Sequence, residues 1–144
     1  MSEALFELST VAETLKEQAL HEYRQSLKAQ EALDQELRQI DTMRQAAQAD
    51  ADGLNARRMT GADAAWQAWM ARRRGEIQSE LAMARVRVEE SRRRAGDALS
   101  RSDAVRLLQQ ERAEQLGHAA TRRQARTLDA LIVLQRSRRL GQGR

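Results

Sequence analysis

The chain has 144 residues and a formal net charge of +4, from 25 lysines and arginines and 21 aspartates and glutamates. It contains no proline and no cysteine, which excludes helix interruption by proline, disulfides, thiolate metal sites and a cysteine nucleophile. No apolar run approaches the roughly 20 residues that span a bilayer, and the first ten residues carry no basic side chain, so we expect a cytosolic protein without a secretory signal.

The first predicted helix runs from about residue 4 to about residue 51, with Ser2 as its expected N-cap. Its apolar residues recur at steps of three or four, which indicates a helix with one buried face. Because charged and amide residues separate them, they predict a narrow coiled-coil seam rather than a thick core. Few aromatic and many charged residues would also suit a disordered chain, but the sustained period argues against disorder. The stripe consists of Leu5, Leu8, Ala12, Leu15, Ala19, Tyr23, Leu27, Leu33, Leu37, Ile40 and Ala47.

A loop is predicted at about residues 52–61, where turn-forming residues cluster between the two apolar patterns. Thr60 followed by Asp63 resembles a capping box ahead of the next helix. The turn-forming residues are Asp50, Asp52, Gly53, Asn55, Thr60 and Gly61.

The second predicted helix runs from about residue 62 to about residue 139. Its steps again alternate mostly between three and four. Three glycines interrupt it, each at a cost of about 1 kcal/mol relative to alanine, and the seam is expected to tolerate them. The stripe consists of Trp66, Trp69, Ile77, Leu81, Ala84, Val88, Ser91, Ala95, Ala98, Ser102, Val105, Leu108, Arg112, Leu116, Ala120, Leu128, Leu131 and Leu134.

The two predicted helices differ in length and in charge. At 1.5 Å per residue the first is roughly 70 Å long and the second roughly 110 Å. Residues 1–52 carry 5 basic and 11 acidic residues, and residues 53–144 carry 20 and 10, so the charges that flank the seam attract across it. We therefore predict an all-α protein: a single domain over residues 1–144, folded as a two-helix antiparallel coiled-coil hairpin. Residues from about 111 to 139 overhang as a single basic helix that needs a partner.

No catalytic, cofactor or metal site is predicted. His21 and His118 lie far apart in sequence without clustered carboxylates, and no glycine-rich phosphate loop follows a strand. The arginine triplets at residues 72–74 and 92–94 are open to a nucleic-acid interpretation. Three successive helical residues, however, do not share one face, so solvated arginines and arginines paired with the acidic first helix are the favoured interpretation.

Trp66, Trp69 and Met70 form an aromatic and apolar cluster directly after the predicted loop. One interpretation is that the two tryptophans close the end of the coiled coil by packing on residues 46, 47 and 54. The other is that they anchor a second protein, since tryptophan and arginine dominate binding hot spots. The sequence leaves both interpretations open.

The layout resembles one family: an acidic-to-mixed first helix, a glycine-containing turn, aromatic residues just after it, and a longer basic helix that ends in a run of arginine, glutamine and leucine-aspartate. The closing run is Ala119-Ala120-Thr121-Arg122-Arg123-Gln124-Ala125-Arg126-Thr127-Leu128-Asp129-Ala130-Leu131. In these features the chain is similar to the FliJ family of flagellar type III export proteins and its YscO-type virulence relatives.

The resemblance implies a monomeric stalk, peripheral to the membrane, which binds the hexameric export ATPase, the export-gate membrane protein and, in some members, export chaperones. The residues it implies for the gate, with their neighbours in the aromatic cluster, are Trp66, Trp69, Met70, Arg73 and Ile77, of which Arg73 stands where the family has an apolar residue. The residues it implies for the ATPase lie towards the end of the second helix and are Leu116, Arg123, Leu128, Asp129, Leu131 and Ile132.

The leading functional hypothesis is therefore a flagellar or virulence-type export stalk, with no enzyme activity and no nucleic acid among its partners. Two alternatives stay open. One is a basic coiled coil that binds nucleic acid or an anionic surface through the second helix, whose affinity would fall steeply with salt. The other is a self-associating scaffold in which the overhang pairs with a second copy.

Overall fold

The computed structural model describes residues 2–143, except for the side chains of Ser2 and Ala51. It contains three helices, α1 (Ser2–Ala49), α2 (Ala51–Thr60) and α3 (Ala62–Gly141), and no strand within the described residues. The all-α prediction is confirmed, and the two long helices begin and end within two residues of their predicted bounds. The expected N-cap role of Ser2 concerns a side chain outside the described ones.

The loop predicted at residues 52–61 is wrong, because α2 occupies nearly all of it. Between α1 and α3 the helical path is broken at only two residues, Asp50 and Gly61. At Asp50 the side chain caps α2 by accepting a hydrogen bond from the amide of Gly53 at 3.1 Å. At Gly61 the backbone is left-handed, with φ 75°, and its amide donates to the carbonyl of Arg58. One aspartate cap and one left-handed glycine are sufficient for the turn, so the other turn-forming residues stay helical.

Gly53 lies inside α2 for a steric reason. A Cβ atom at this position would collide with the Asp50 carboxylate that caps the helix. The absence of a side chain therefore permits the cap, although in the sequence the same glycine suggests a loop.

The predicted capping box at Thr60 and Asp63 is also absent. The Thr60 hydroxyl donates to the carbonyls of Ala56 and Arg57, both at 3.2 Å, so Thr60 serves the end of α2 rather than the start of α3. The Asp63 carboxylate accepts from Gln67 at 3.5 Å.

The chain divides into two compact units, Glu13–Ser100 and Met1–Ala12 with Arg101–Arg144. The single domain predicted over residues 1–144 stays a prediction. In the unit of residues 13–100 the core is Ile40, Met70 and Ile77, with Leu33, Leu37 and Trp66 packed against it. Along α3 the buried or half-buried positions continue at steps of three and four, as predicted for this part of the stripe, through Leu81, Ala84, Val88, Ser91, Ala95 and Ala98.

The predicted stripe on α1 is only partly correct. Leu15 and Leu27 are 48% and 40% exposed, whereas polar residues stand in the seam between the apolar ones. A coiled coil needs a strict alternation of three and four residues, and Leu15 and Leu27 depart from that alternation. The buried or half-buried residues of α1 that keep this alternation within the unit are Lys16, Ala19, Tyr23, Ser26, Gln30, Leu33, Leu37 and Ile40, with Ala47 seven residues further on.

Three ion pairs join α1 to α3 within the same unit. Arg74 lies 3.2 Å from Asp41, Arg73 lies 2.6 Å from Glu36, and Arg94 lies 3.6 Å from Glu22. The arginine triplets thus contribute side chains that pair with the acidic first helix, as the favoured interpretation predicted.

In the unit of residues 1–12 and 101–144, Ala12 and Val105 are buried. Leu5 and Ser9 of α1 and Ser102, Gln109 and Arg112 of α3 are half-buried. Leu8 and Leu108, both placed in the predicted stripes, are each 49% exposed. Every described residue from 120 to 143 is exposed. No helix within the described residues is long and apolar enough to cross a membrane.

Candidate partner-binding surfaces

The five residues that the sequence suggested for gate binding do not form one exposed surface. Ile77 has no exposed area and Met70 is only 3% exposed, because both belong to the core. Trp66 is half-buried against that core. Trp69 is half exposed, and Arg73 is partly exposed beside it. In this conformation Met70 and Ile77 have no side-chain surface with which to contact a partner, so Trp69 and Arg73 are the available candidates.

Trp66 is held in place by Arg57 of α2. The guanidinium carbon of Arg57 lies 5.9 Å from the centroid of the Trp66 ring, within the range of a cation–π contact. Arg57 Nη2 donates to the carbonyl of Ala47 at 3.0 Å, and its Nε lies 3.7 Å from the Asp63 carboxylate. Arg57 thus ties the end of α1, α2 and the start of α3 together. The role of Arg57 could not be predicted from the sequence, because its contacts reach across both helix breaks, at Asp50 and at Gly61.

Arg73 is fixed by carboxylates rather than presented as a free charge. Its Nε donates to Glu36 at 2.8 Å, and its Nη1 donates to Glu76 at 3.3 Å. The hydrogen bond to Glu36, followed by the one to Glu76, raises the pKa of the Arg73 guanidinium above its ordinary value. The side chain therefore stays charged, and it joins α1 to α3 next to Trp69.

A small cavity opens beside Trp66. Ile40, Trp66 and Met70 supply apolar walls, and Arg44 and Arg74 supply charge. Its volume of about 80 Å³ is far below the roughly 300–1,000 Å³ of pockets that bind small molecules. The cavity is therefore too small for a typical small-molecule ligand, and it has room for no more than a single inserted side chain.

The residues suggested for ATPase binding are all exposed, in the unit of residues 1–12 and 101–144. The exposed fractions of the Leu128, Leu131 and Ile132 side chains are 60%, 55% and 47%. Val133 and Leu134, outside the set suggested for this site, are 62% and 59% exposed. The unbroken apolar run from residue 130 to residue 134 is the sequence feature that would have identified Val133 and Leu134 as candidates for the same site. Leu116, Arg123 and Asp129 complete the exposed set.

Residues 128–134, which we call the tail segment, are apolar around the whole helix. Successive residues of a helix are about 100° apart around its axis. The apolar side chains of Leu128 and of residues 130–134 therefore surround the axis, and the widest gap between them, about 100°, contains Asp129. A helix that is hydrophobic on all sides is normally buried on all sides. The tail segment is instead exposed on every side.

The tail segment is flanked by unpaired arginines. Residues 120–143 contain six arginines and one acidic residue, Asp129. Among residues 2–143 none of these seven side chains forms an ion pair. A partner for this part of α3 must therefore accept apolar surface and positive charge together.

Groups of histidine, cysteine, aspartate or glutamate that could hold a metal ion are not found in the part of the chain that the structure describes. His21 and His118 are both exposed. In comparisons with known proteins, no protein-family model, curated protein or solved structure matches the chain.

Proposed function

We propose that this chain is the stalk of a type III export apparatus of the FliJ or YscO kind, cytoplasmic and peripheral to the membrane. The end of α3 would bind the hexameric export ATPase, and the region around Trp69 would bind the export gate. The observation that carries the proposal is the tail segment, which is apolar on every side and exposed.

We further propose that α1 and the facing part of α3 run antiparallel as a coiled-coil hairpin, with the end of α3 extending beyond α1. Asp41 and Glu36, late in α1, pair with Arg74 and Arg73, early in α3, while the earlier Glu22 pairs with the later Arg94. This order of pairing is what antiparallel helices produce. The alternation of three and four residues between half-buried positions on both helices supports a coiled coil.

The tail segment favours a partner that surrounds it. A single docked helix covers one face, and it would leave the other apolar side chains in water. The central opening of a hexameric ring encloses a helix on all sides, so that Leu128, Leu131 and Val133 could be covered together. The flanking arginines would then meet acidic or carbonyl groups at the ring entrance.

Binding to the export gate would depend on Trp69 and Arg73, because Met70 and Ile77 are buried. Trp69 offers a half-exposed indole next to the charged Arg73, and the cavity beside Trp66 admits one inserted side chain. Aromatic and arginine side chains next to a small pocket are typical of binding hot spots. Arg73, Arg74 and Arg94 are paired with carboxylates of α1, so the nucleic-acid alternative would depend on the unpaired arginines near the end of α3.

Capture of a hexameric type III export ATPase tests the proposal. Deleting residues 111–144 should abolish capture while the remaining chain stays helical by circular dichroism. In the full-length chain, replacing Leu131 and Ile132 by glutamate should weaken capture by about tenfold or more, because each buried apolar side chain contributes about 1.5–3 kcal/mol.

The matched control is a glutamate pair at Met83 and Val86, which are also exposed on α3, at 60% and 57%. These positions lie outside the tail segment, so the control should bind the ATPase as the unmodified chain does. Equal capture by the deletion and the full-length chain would exclude insertion of the tail segment and, with it, the stalk proposal.

A further inference from the structure

Within the unit of residues 13–100, α1 presents two different seams to α3. From Leu33 onward the seam is apolar, because Leu33, Leu37 and Ile40 belong to the core or pack against it. The preceding part, residues 16–30, which we call the brace, is more polar. Lysine, serine and glutamine occupy three of its five seam positions, which are Lys16, Ala19, Tyr23, Ser26 and Gln30. The brace therefore buries less apolar surface than the seam that follows it.

The face of α3 opposite the brace consists of small side chains. The buried residues of this stretch are Ala84, Ser91, Ala95 and Ala98. An open groove of about 380 Å³ lies between the helices here, lined by Ser26 of α1 and Ser91 of α3 among others. Side chains that border an unfilled space lose packing contacts on that side. Both helices thus contribute little packing to this part of the seam.

The charged groups of the brace do not hold it firmly to α3. Lys16 occupies a seam position, and its ammonium lies 2.6 Å from the carboxylate of Glu13 on the same helix. That pair moves with α1 and is kept when α1 leaves α3. Glu22 reaches Arg94 of α3 at 3.6 Å, but both side chains are more than half exposed. Exposed ion pairs of this kind contribute little to stability.

The other end of the same unit is held by several contacts in addition to its apolar core. Glu36 lies 2.6 Å from Arg73, and Asp41 lies 3.2 Å from Arg74. Arg57 also joins the end of α1 to the start of α3. These contacts all involve α1 beyond residue 33, so they remain in place when the brace separates from α3.

The first residues of α1 are no more firmly held within their own unit. Ala12 is buried there, and Leu5 and Ser9 are half-buried. The larger apolar side chains of Leu8 and Val11 are 49% and 55% exposed, so they add little to the apolar surface that this stretch buries. Residues before the brace can therefore be released together with it.

We infer that the brace is a releasable segment, which separates from α3 and packs again while the core around Ile77 stays closed. Helical stability comes mostly from tertiary packing, and the least packed stretch opens first. Release leaves residues 84–98 of α3 as a single helix that contains Gly96, and glycine weakens an unsupported helix. The brace thus switches this part of the unit between a rigid helix pair and a more flexible single helix. The inference rests on contacts within this unit and not on the export role.

Native-state hydrogen exchange of the unmodified full chain tests the inference. Protection factors of the amides of residues 17–30 should be at least about a hundredfold lower than those of residues 36–44, although both stretches belong to α1. Residues 17–30 should also share one value, because the segment leaves as a unit. Equal protection of the two stretches would overturn the inference. Protection that declines steadily towards the start of α1 would indicate fraying and would overturn it as well.

Thiol labelling measures whether the facing side of α3 is uncovered at the same time. Ala95→Cys and Met70→Cys place single thiols at positions that are 7% and 3% exposed, in a chain with no cysteine of its own. With the same reagent, Ala95→Cys should react at least about a hundredfold faster. Met70→Cys removes more core volume, so the destabilisation it causes acts against the expected difference. Equal rates would mean that only global unfolding uncovers α3, and they would overturn the inference.

Gln30→Leu and Gln35→Leu form a matched pair of variants on the same helix. Gln30 is half-buried in the seam, whereas Gln35 is exposed on the side of α1 that faces away from α3. Gln30→Leu should slow exchange in residues 17–30, and labelling of Ala95→Cys, by about tenfold, because leucine adds apolar contact in the seam. Gln35→Leu should leave both rates unchanged. Equal effects of the two variants would mean that helix propensity rather than packing holds the segment, and the inference would be wrong. Capture of the export ATPase is a separate measurement, so the two proposals fail separately.

Discussion

Trp66 and Trp69 lie one helical turn apart on α3, but their side chains have different surroundings. Trp66 packs on the core of Ile40, Met70 and Ile77 and lies beneath Arg57, whereas Trp69 is half exposed. The two interpretations that the sequence left open therefore divide between the residues. Trp66 has the contacts of a side chain that closes the end of the packed helices, and Trp69 has the exposure of an anchor.

Alanine substitutions should separate these roles. Trp66→Ala removes apolar contacts and the Arg57 stacking, and it should lower the free energy of unfolding by about 2 kcal/mol. Trp69→Ala should change that free energy by less than about 0.5 kcal/mol, but it should weaken binding to the soluble domain of an export gate by about tenfold. Urea titration followed by circular dichroism measures the first quantity, and fluorescence titration of the gate domain measures the second.

Met59→Ala is the control for Trp69→Ala, because Met59 is 89% exposed on α2 and should affect neither quantity. A stability loss at Trp69 as large as that at Trp66 would mean that both indoles serve packing. The anchor role of Trp69 would then be excluded.

At the scale of the helices, the glycines differ in backbone conformation although each interrupts the same polar and apolar pattern. Gly61 has φ 75° and separates α2 from α3, whereas Gly75, Gly96 and Gly117 are helical. A Cβ atom at any of these four positions would meet no atom within 4 Å. An added side chain would therefore clash with no neighbouring atom at any of the four positions. The backbone preference of the new residue alone then decides whether a substitution stabilises or destabilises the fold.

Replacing these glycines by alanine should give effects of opposite sign. Gly61→Ala forces a left-handed conformation on alanine and should destabilise the fold by about 1 kcal/mol. Gly75→Ala and Gly96→Ala should stabilise it by about 0.5–1 kcal/mol, because alanine favours the helix and restricts the unfolded chain. Thermal and urea unfolding of the single variants measures these changes. Stabilisation by Gly61→Ala would show that the left-handed turn is not maintained in solution.

The extents of the long helices could be predicted from the sequence, whereas the turn and the seam of α1 could not. Absence of proline and the three-to-four period were sufficient for the extents of α1 and α3. The turn was not predictable to the residue, because composition does not reveal which of several turn formers adopts a non-helical backbone. The seam of α1 was misassigned at Leu15 and Leu27, because packing follows a strict register that admits Lys16, Ser26 and Gln30 ahead of more apolar neighbours.

The candidate sites were predictable to a different degree. An exposed end of α3 was expected from the unequal lengths of two helices in a predicted antiparallel hairpin, so its apolar residues could be identified from the sequence. The gate residues were chosen by their distance from the turn, which cannot distinguish a core position such as Ile77 from an exposed one such as Trp69.

At the scale of the whole molecule, the chain combines a packed region with a helix end that has no packing. Residues near Ile77 are buried between α1 and α3, whereas every described residue from 120 to 143 is exposed. Helical stability in proteins comes mostly from tertiary packing, and an isolated helix of about 20 residues is marginal in water. The free monomer should therefore show two very different local stabilities along α3.

Hydrogen exchange at a concentration low enough to keep the chain monomeric measures this difference. Amides of residues 121–141 should exchange within about a hundredfold of an unstructured peptide, whereas those near Ile77 should open only with global unfolding. Adding the export ATPase should slow exchange in residues 121–141 and leave the core amides unchanged. Core-like protection of residues 121–141 in the dilute monomer would mean that the free chain itself covers the tail segment. In that case a surrounding ring would gain no binding free energy from covering it.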